Sequence, residues 1–545
     1  MLLRAARDAW EHGSPHAAAA YLQRAADERA PGDDRGAILA RLATISFDAG
    51  LPDAKQRLRE ALNEARDHAR RIDVLTRLAG LSTVDMSDTG LSELLEHERG
   101  ADGDPGVRLA IEAAVLDALL ALPERHDERA RRAAAADTVA AADPLLTRVV
   151  LSHRGWLGIE RGTPDADRAA SLAADAVEDD MLLSVVRKRA AFILAVRTLT
   201  FTDRVDDAAR LIASMRDEAV ARGSMWLLAA AAWCAAELAL RRGRVADAEN
   251  EARFVLDLAD GDINVFTRGA LEMLLLALAE RGAVDEARDL LREHRLEGAI
   301  GDGPWEAGVL LASARVALAE GDFERARAEA HRAGAVRARQ GRTNPTISPW
   351  RSIAALALSR LGRRDEAVVL ADAELDLAER FGAPHPIVGA LHARIVSEAD
   401  LPARLALCER ALALPAPDVL EHARVRLQLG ATLRRMGRRM EARVELQRAL
   451  ADADAAGATL VAKEARRELV ATGLRPRRAQ IEGPEALTPR QRQVSDLAAA
   501  GVPNREIAQQ LFLSIKTVET HLAASYRKLG VETRDELAAE LRSAG

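Results

Sequence analysis

Residues 317–326 read ALAEGDFERA, and the same ten-residue figure stands as LAERGAVDEA at 278–287 and ALRRGRVADA at 239–248. A small or aliphatic residue is followed four places on by glycine, and five places after that by alanine. Two more copies are marked by Leu358, Gly362, Ala367 and by Leu433, Gly437, Ala442. The glycines are 39, 39, 41 and 75 residues apart, the last close to two periods, with Asp400-Leu401-Pro402 where the intervening turn should fall. Glycine past the end of one helix can take φ > 0 and close its C-terminus, while alanine in the next lets the two helices approach closely. Neither helix can bury its apolar stripe alone, so the pairs should stack into a superhelical array with a concave and a convex surface.

The period and residue types resemble tetratricopeptide repeats, with a spacing longer than the usual length. Weaker turns at Gly13-Ser14-Pro15, Gly50-Leu51-Pro52 and Gly162-Thr163-Pro164 extend the pattern almost to Met1. The fold class expected is all-α, with residues 1–474 one tetratricopeptide-like α-solenoid, residues 475–486 a linker and residues 487–545 a separate small domain.

Composition agrees with helix packed on helix. In 545 residues, hydrophobic side chains make up 48% and charged ones 30%, while aromatics reach only 3%, leaving alanine and leucine to fill the interior. A formal charge of −7 excludes a chain that holds nucleic acid by bulk charge alone. Eleven basic against nine acidic residues give residues 475–545 a charge of +2, leaving −9 for residues 1–474. Any nucleic-acid contact must therefore be local. Cys234 and Cys408 lie far apart in apolar stretches, which argues against a disulfide framework and for a reducing cytoplasm. The longest uncharged apolar run, Met225–Ala236, is too short for a membrane span, and Met1–Gly13 lacks an export signal's apolar core.

Residues 487–541 can be divided by capping chemistry. Thr488, Pro489 and Gln491 form a capping box opening a helix that ends at Gly501. Asn504–Leu511 is a short second helix, Ser514 caps a third that ends before Gly530, and Thr533 with Glu536 starts a fourth. The turn Phe512–Ser514 has the length a DNA-reading helix-turn-helix requires. Val518, Leu522, Ser525 and Leu529 form the third helix's inner face, and Lys516, Thr520, Ala523 and Arg527 lie about 180° away at ~100° per residue. That outer stripe of short, polar and cationic side chains suits base edges flanked by phosphates. Leu537, Ala538 and Leu541 give the fourth helix an apolar strip that could pair two copies.

Leu487–Val494, Gly501, Asn504–Ala508, Ser514, Thr517, Val518, His521 and Leu529-Gly530 resemble the LuxR-type helix-turn-helix of bacterial transcription regulators. The array before it, with Asn344-Pro345, Pro349-Trp350-Arg351 and Phe381-Gly382-Ala383-Pro384, is similar to the C-terminal half of that family's large ATP-binding members. The resemblance implies base-facing positions at Glu519, Thr520 and Ala523, and backbone contacts from Lys516, Thr517 and His521, with Arg505 and Arg527 as phosphate partners. Glu519 and Ala523 depart from the lysine or polar residue frequent there, and Gln491 replaces the usual glutamate. No G-x-x-x-x-G-K-[ST] occurs, so ATP hydrolysis is not expected of this chain. Either it is a short form working without nucleotide, or Met1 is an internal start within a longer gene.

Blander readings cover the remaining candidates. His12 and His16 flank a Gly-Ser-Pro turn and are expected to be solvated, Gly298, Gly301 and Gly303 form an inter-repeat loop, and Trp226 and Trp233 are core packing. No catalytic set, cofactor or metal site is indicated. The expectation is a cytoplasmic, non-enzymatic transcriptional regulator. Its partners are double-stranded DNA, bound as a homodimer, and a protein or small-molecule effector on the solenoid. The alternative is a helical-repeat interaction scaffold with a non-essential terminal domain.

Overall fold

The ten-residue figure is a complete helix-stop, helix-start device. At Gly282 (φ +73°) the chain leaves one helix, and the N–H of Ala283 reaches back to the carbonyl of Leu278 at 2.9 Å. This is the six-to-one bond of a Schellman turn, closed by a glycine in the left-handed region. The carbonyl of Ala283 then accepts from Ala287 N–H at 3.1 Å, the first bond of the next helix. The same two bonds tie Ala239–Arg244–Ala248, Ala317–Asp322–Ala326, Leu358–Arg363–Ala367 and Leu433–Arg438–Ala442. Every closing alanine is fully buried, as a site of close helix approach requires. Gly13, Gly50 and Gly162 also have positive φ, so the weaker turns obey the same rule.

The computed structural model describes residues 1–28, 34–85, 91–98, 105–136, 143–179, 181–185, 189–259, 264–296, 300–301, 306–415, 417–473, 487–511, 513–531 and 533–543. No strand occurs among them. The expected linker, Phe512 in the short turn, and Gly298 and Gly303 lie outside the described residues. The chain forms two compact units, Met1–Glu468 and Leu469–Gly545.

The first unit is an all-α, tetratricopeptide-like solenoid. Helices such as Met225–Arg241 and Val245–Leu258, or Glu306–Glu320 and Phe323–Arg339, pair across the glycine turns and share apolar clusters rich in alanine and leucine. Several helices carry side-chain N-caps, two of which bear on the pattern. Ser224 Oγ accepts from Leu227 N–H, and Asp400 accepts from Ala403 N–H before Leu401–Leu412, where the missing turn was expected.

Contacts between distant stretches of the array have no counterpart in the local pattern. Ser224 Oγ donates to Asp48 Oδ1 at 2.6 Å across 176 positions. Arg342 Nε donates to Glu160 Oε1 at 2.9 Å, and His385 N–H to Asp203 Oδ2 at 2.9 Å, each pair 182 apart. Asn344 Nδ2 donates to the carbonyl of Gly158 across 186 positions. The array returns upon itself after roughly this interval, and one coil's turns rest on the next.

Trp226 and Trp233 require a correction. Trp226 meets Phe266 edge-on at 5.5 Å, and Trp233 lies 5.8 Å from the same ring, so both do pack. They also line a cavity of about 410 Å³ inside the coil. Seven-residue spacing puts two indoles on one helix face without saying whether that face meets side chains or a void. Cys234 and Cys408 are free and buried, and burial pushes both thiols up, Cys408 to about 12. His16 and His12 are both exposed, His12 with its Nδ1 2.6 Å from the carbonyl oxygen of Asp8. Among the described residues no cluster could hold a metal ion, and no helix is long and apolar enough to cross a membrane.

Candidate nucleic-acid interface

Four helices build the second unit around a small core: Pro489–Ala499, Asn504–Gln510, Ile515–Leu529 and Arg534–Ser543. The first begins on the expected capping box. Thr488 Oγ1 accepts from Gln491 N–H at 3.2 Å, and Gln491 Oε1 accepts from Thr488 N–H at 3.1 Å. Ser514 Oγ caps the third helix by accepting from Thr517 N–H at 3.0 Å, and Gly530 (φ +68°) ends it. Thr533 Oγ1 accepts from Glu536 N–H at the start of the fourth.

The third helix divides into two faces. Val518 and Ser525 are fully buried and Leu522 nearly so, packed in a core with Val494, Ala498 and Ile507. Ser525 stays satisfied there by donating to the carbonyl of His521 at 2.9 Å. Opposite them Lys516, Glu519, Thr520, Ala523 and Arg527 are exposed, as is Arg505 on the second helix. Thr517 and His521 are half-buried at the flank. Thr517 is engaged in the cap through Ser514, and Thr520 Oγ1 donates to the carbonyl of Lys516 at 2.8 Å. Burial, with the charge of Arg490 added, holds His521 below the ordinary histidine value and favours a neutral imidazole.

Three features of this unit carry no signal in the sequence. Ile515, at the first turn of the third helix, is 48% exposed and sets an apolar side chain beside Lys516, able to meet a thymine methyl. Lys528 Nζ donates to Gln491 Oε1 at 2.8 Å, tying the third helix to the first helix's cap. Arg490 Nη2 likewise donates to the carbonyl of Leu511 at 2.6 Å, pinning the end of the second helix. Contacts between sequentially distant side chains carry no periodic signature. The strip assigned to Leu537 and Leu541 must be corrected. Both are buried in this unit's own core, because four short helices supply few other large side chains, and neither is free to pair two copies.

Arranged this way, the surface can neutralise phosphates through Lys516, Arg527 and Arg505, and can offer short side chains to base edges along one helix face. Comparison with known proteins gives the same segment. Residues 485–541 match the pattern for bacterial regulatory proteins of the luxR family. The spore germination protein GerE of Bacillus subtilis (strain 168) is 36% identical over 66 residues, 12% of this chain and 89% of that protein. A Mycobacterium tuberculosis (strain CDC 1551 / Oshkosh) protein named as an HTH-type transcriptional regulator is 41% identical over 69 residues, 13% of this chain. That match spans only 8% of the mycobacterial protein. Among solved structures, the APC/C hetero-tetramer Cut9-Hcn1 aligns with 99% of this chain and 95% of its own at 15% identity and a TM-score of 0.41.

Proposed function

The chain belongs to the luxR family of bacterial regulatory proteins, and from that premise we propose that it is a DNA-binding transcriptional regulator whose third C-terminal helix enters the major groove. Lys516 and Thr517 hold the backbone at the helix's N-terminal end, with His521 at its flank and Arg505 and Arg527 on neighbouring phosphates. Glu519, Thr520 and Ala523 face the bases, where Glu519 favours cytosine N4 and repels a misplaced phosphate. Two copies occupy half-sites about one helical turn apart. The helical-repeat unit is the sensing part, responding to a protein or a small molecule.

The observation that carries this reading is the division of the third helix, one face locked in the core and the other presenting cations and short side chains to solvent. The test is titration of the full chain with duplex DNA selected from a randomised pool, over a range of salt concentrations. Each phosphate contact contributes about 0.9 to the slope of log K against log salt. Lys516→Ala and Arg527→Ala should each lower the slope by about that amount and weaken all sequences alike. Ala523→Lys should change which duplex is selected. An unchanged slope in both alanine variants would refute the assignment.

A further inference from the structure

We infer that the cavity inside the repeat coil is a binding site for an aromatic carboxylate, its anion taken by Arg337 and Arg342 and its ring by Trp226 and Phe266. This rests on reading the repeat unit as the sensing part, and it names the chemistry of what is sensed. At about 410 Å³ the cavity falls within the size of small-molecule sites.

Its guanidinium groups divide into those with a carboxylate partner and two, Arg268 and Arg337, with none among the described residues. Arg197 donates to both oxygens of Glu237 at 2.8 and 2.7 Å and lies between the rings of Trp156 (4.4 Å) and Trp233 (4.2 Å). Arg241 is held by Asp203, and Arg315 and Arg424 share Glu280. Arg342 bonds Glu160, a carboxylate that also serves Arg129. Arg337 lines the cavity with no hydrogen bond or ion pair among the described residues, and its Nε is closed off from solvent.

The electrostatics follow from that count. Burial, reinforced by mutual repulsion among Arg197, Arg337 and Arg342, pushes both Arg337 and Arg342 down to about 10. Glu272 is the carboxylate acting on both, and burial raises its own carboxyl above the usual range. A buried charge wants a partner, and the Arg337 guanidinium has none in hydrogen-bond or ion-pair contact among the described residues. Trp226 adds an indole N–H that is shut away without an acceptor. A carboxylate brings acceptors to the guanidinium groups and relieves their repulsion. The adjoining rings of Trp226 and Phe266, 5.5 Å apart and edge to face, offer faces that only an apolar or aromatic body would fill. A bare inorganic anion would leave them wet.

The experiment is calorimetric titration of the full chain with indole-3-acetate and with 3-phenylpropionate, each beside its carboxamide, and with inorganic phosphate. The acids should bind one per chain at least about tenfold more tightly than their amides, a difference of about 1.4 kcal/mol. Phosphate should bind more weakly than either acid. Arg337→Gln should remove the preference for acid over amide while leaving amide affinity intact. Trp226→Ala should weaken acid and amide together. Arg342→Gln, checked for folding by circular dichroism, is the second variant and should cut the acid preference in part. The inference is overturned if neither acid binds, if acid and amide bind equally, if phosphate binds as well as the acids, or if the preference survives in both arginine variants. DNA titration with and without saturating indole-3-acetate is read separately. An acid that binds without altering DNA affinity leaves the site assigned and overturns the sensing role.

Discussion

Gln491 occupies a position where its charge, more than its shape, is open to change. Its Oε1 accepts at once from Thr488 N–H and from Lys528 Nζ. Gln491→Glu keeps an acceptor in the same place, so the capping box survives, and converts the contact with Lys528 into an ion pair. Two gains follow. A carboxylate in the first turn of Pro489–Ala499 meets the positive end of the helix dipole, worth about 0.3–1 kcal/mol. An exposed ion pair adds about 0.2–1 kcal/mol. Burial holds Lys528 below the ordinary lysine value, and a facing carboxylate opposes that shift. The sum is about 1 kcal/mol, or roughly fivefold slower hydrogen exchange at the amides from Val494 to Ala498 in the full chain. The gain should shrink by more than half in 0.5 M salt, where screening acts within a few ångströms. Unchanged exchange at low salt, or a gain that high salt leaves intact, would refute the reasoning.

Gly269→Ala should destabilise the repeat unit by about 1–2 kcal/mol, because the new methyl would stand 2.5 Å from Trp233 Cε2 and overpacking outweighs the gain in helix propensity. Gly308→Ala meets only the movable carboxylate of Glu272 and should be neutral or better; urea denaturation compares the two. Glu374, facing Arg351 at 3.2 Å, is pushed up to about 7 by burial. A carboxyl that holds its proton more tightly when folded contributes stability that is full below pH ~4 and fades as pH rises to ~7. Glu374→Gln should therefore gain on the parent by roughly 3 kcal/mol between pH 5 and pH 8 in denaturant midpoints, with a flat difference counting against it. Ser514→Ala removes the cap of the third helix and should cost about 1 kcal/mol, read as faster exchange at Thr517 and Val518.

What could be read from sequence was what ten or fifteen neighbouring residues decide among themselves. The carbonyl of Leu278, the glycine at 282 and the alanine at 287 are joined by bonds of short range, so the pattern and the structure say the same thing. The capping box at Thr488 and the two faces of the third helix are equally local. Legibility ends where partners are far apart. Spacing reads Trp226 and Trp233 as core because it is blind to a void, and it reads Leu537 and Leu541 as an outer strip because an apolar stripe does not say which neighbour covers it. Arg337 carries no sequence signal at all. Its lack of a partner becomes visible only when residues from Gly80 to Arg424 are seen around one space.

Repeat arrays in which each unit touches only its neighbours behave like a row of dominoes, loosening from either end one piece at a time. The bonds from Asp48 to Ser224, Glu160 to Arg342 and Asp203 to His385 lace this array to itself. Loosening any one stretch strips the stretch some 180 positions away of its support, so melting should proceed in whole circuits with few ragged intermediates. Such lacing also makes the interior a shared possession. A molecule gripping the wall at Arg337 and one gripping it near Glu160 would pull on the same knot, which gives the repeat unit the means to answer as a whole.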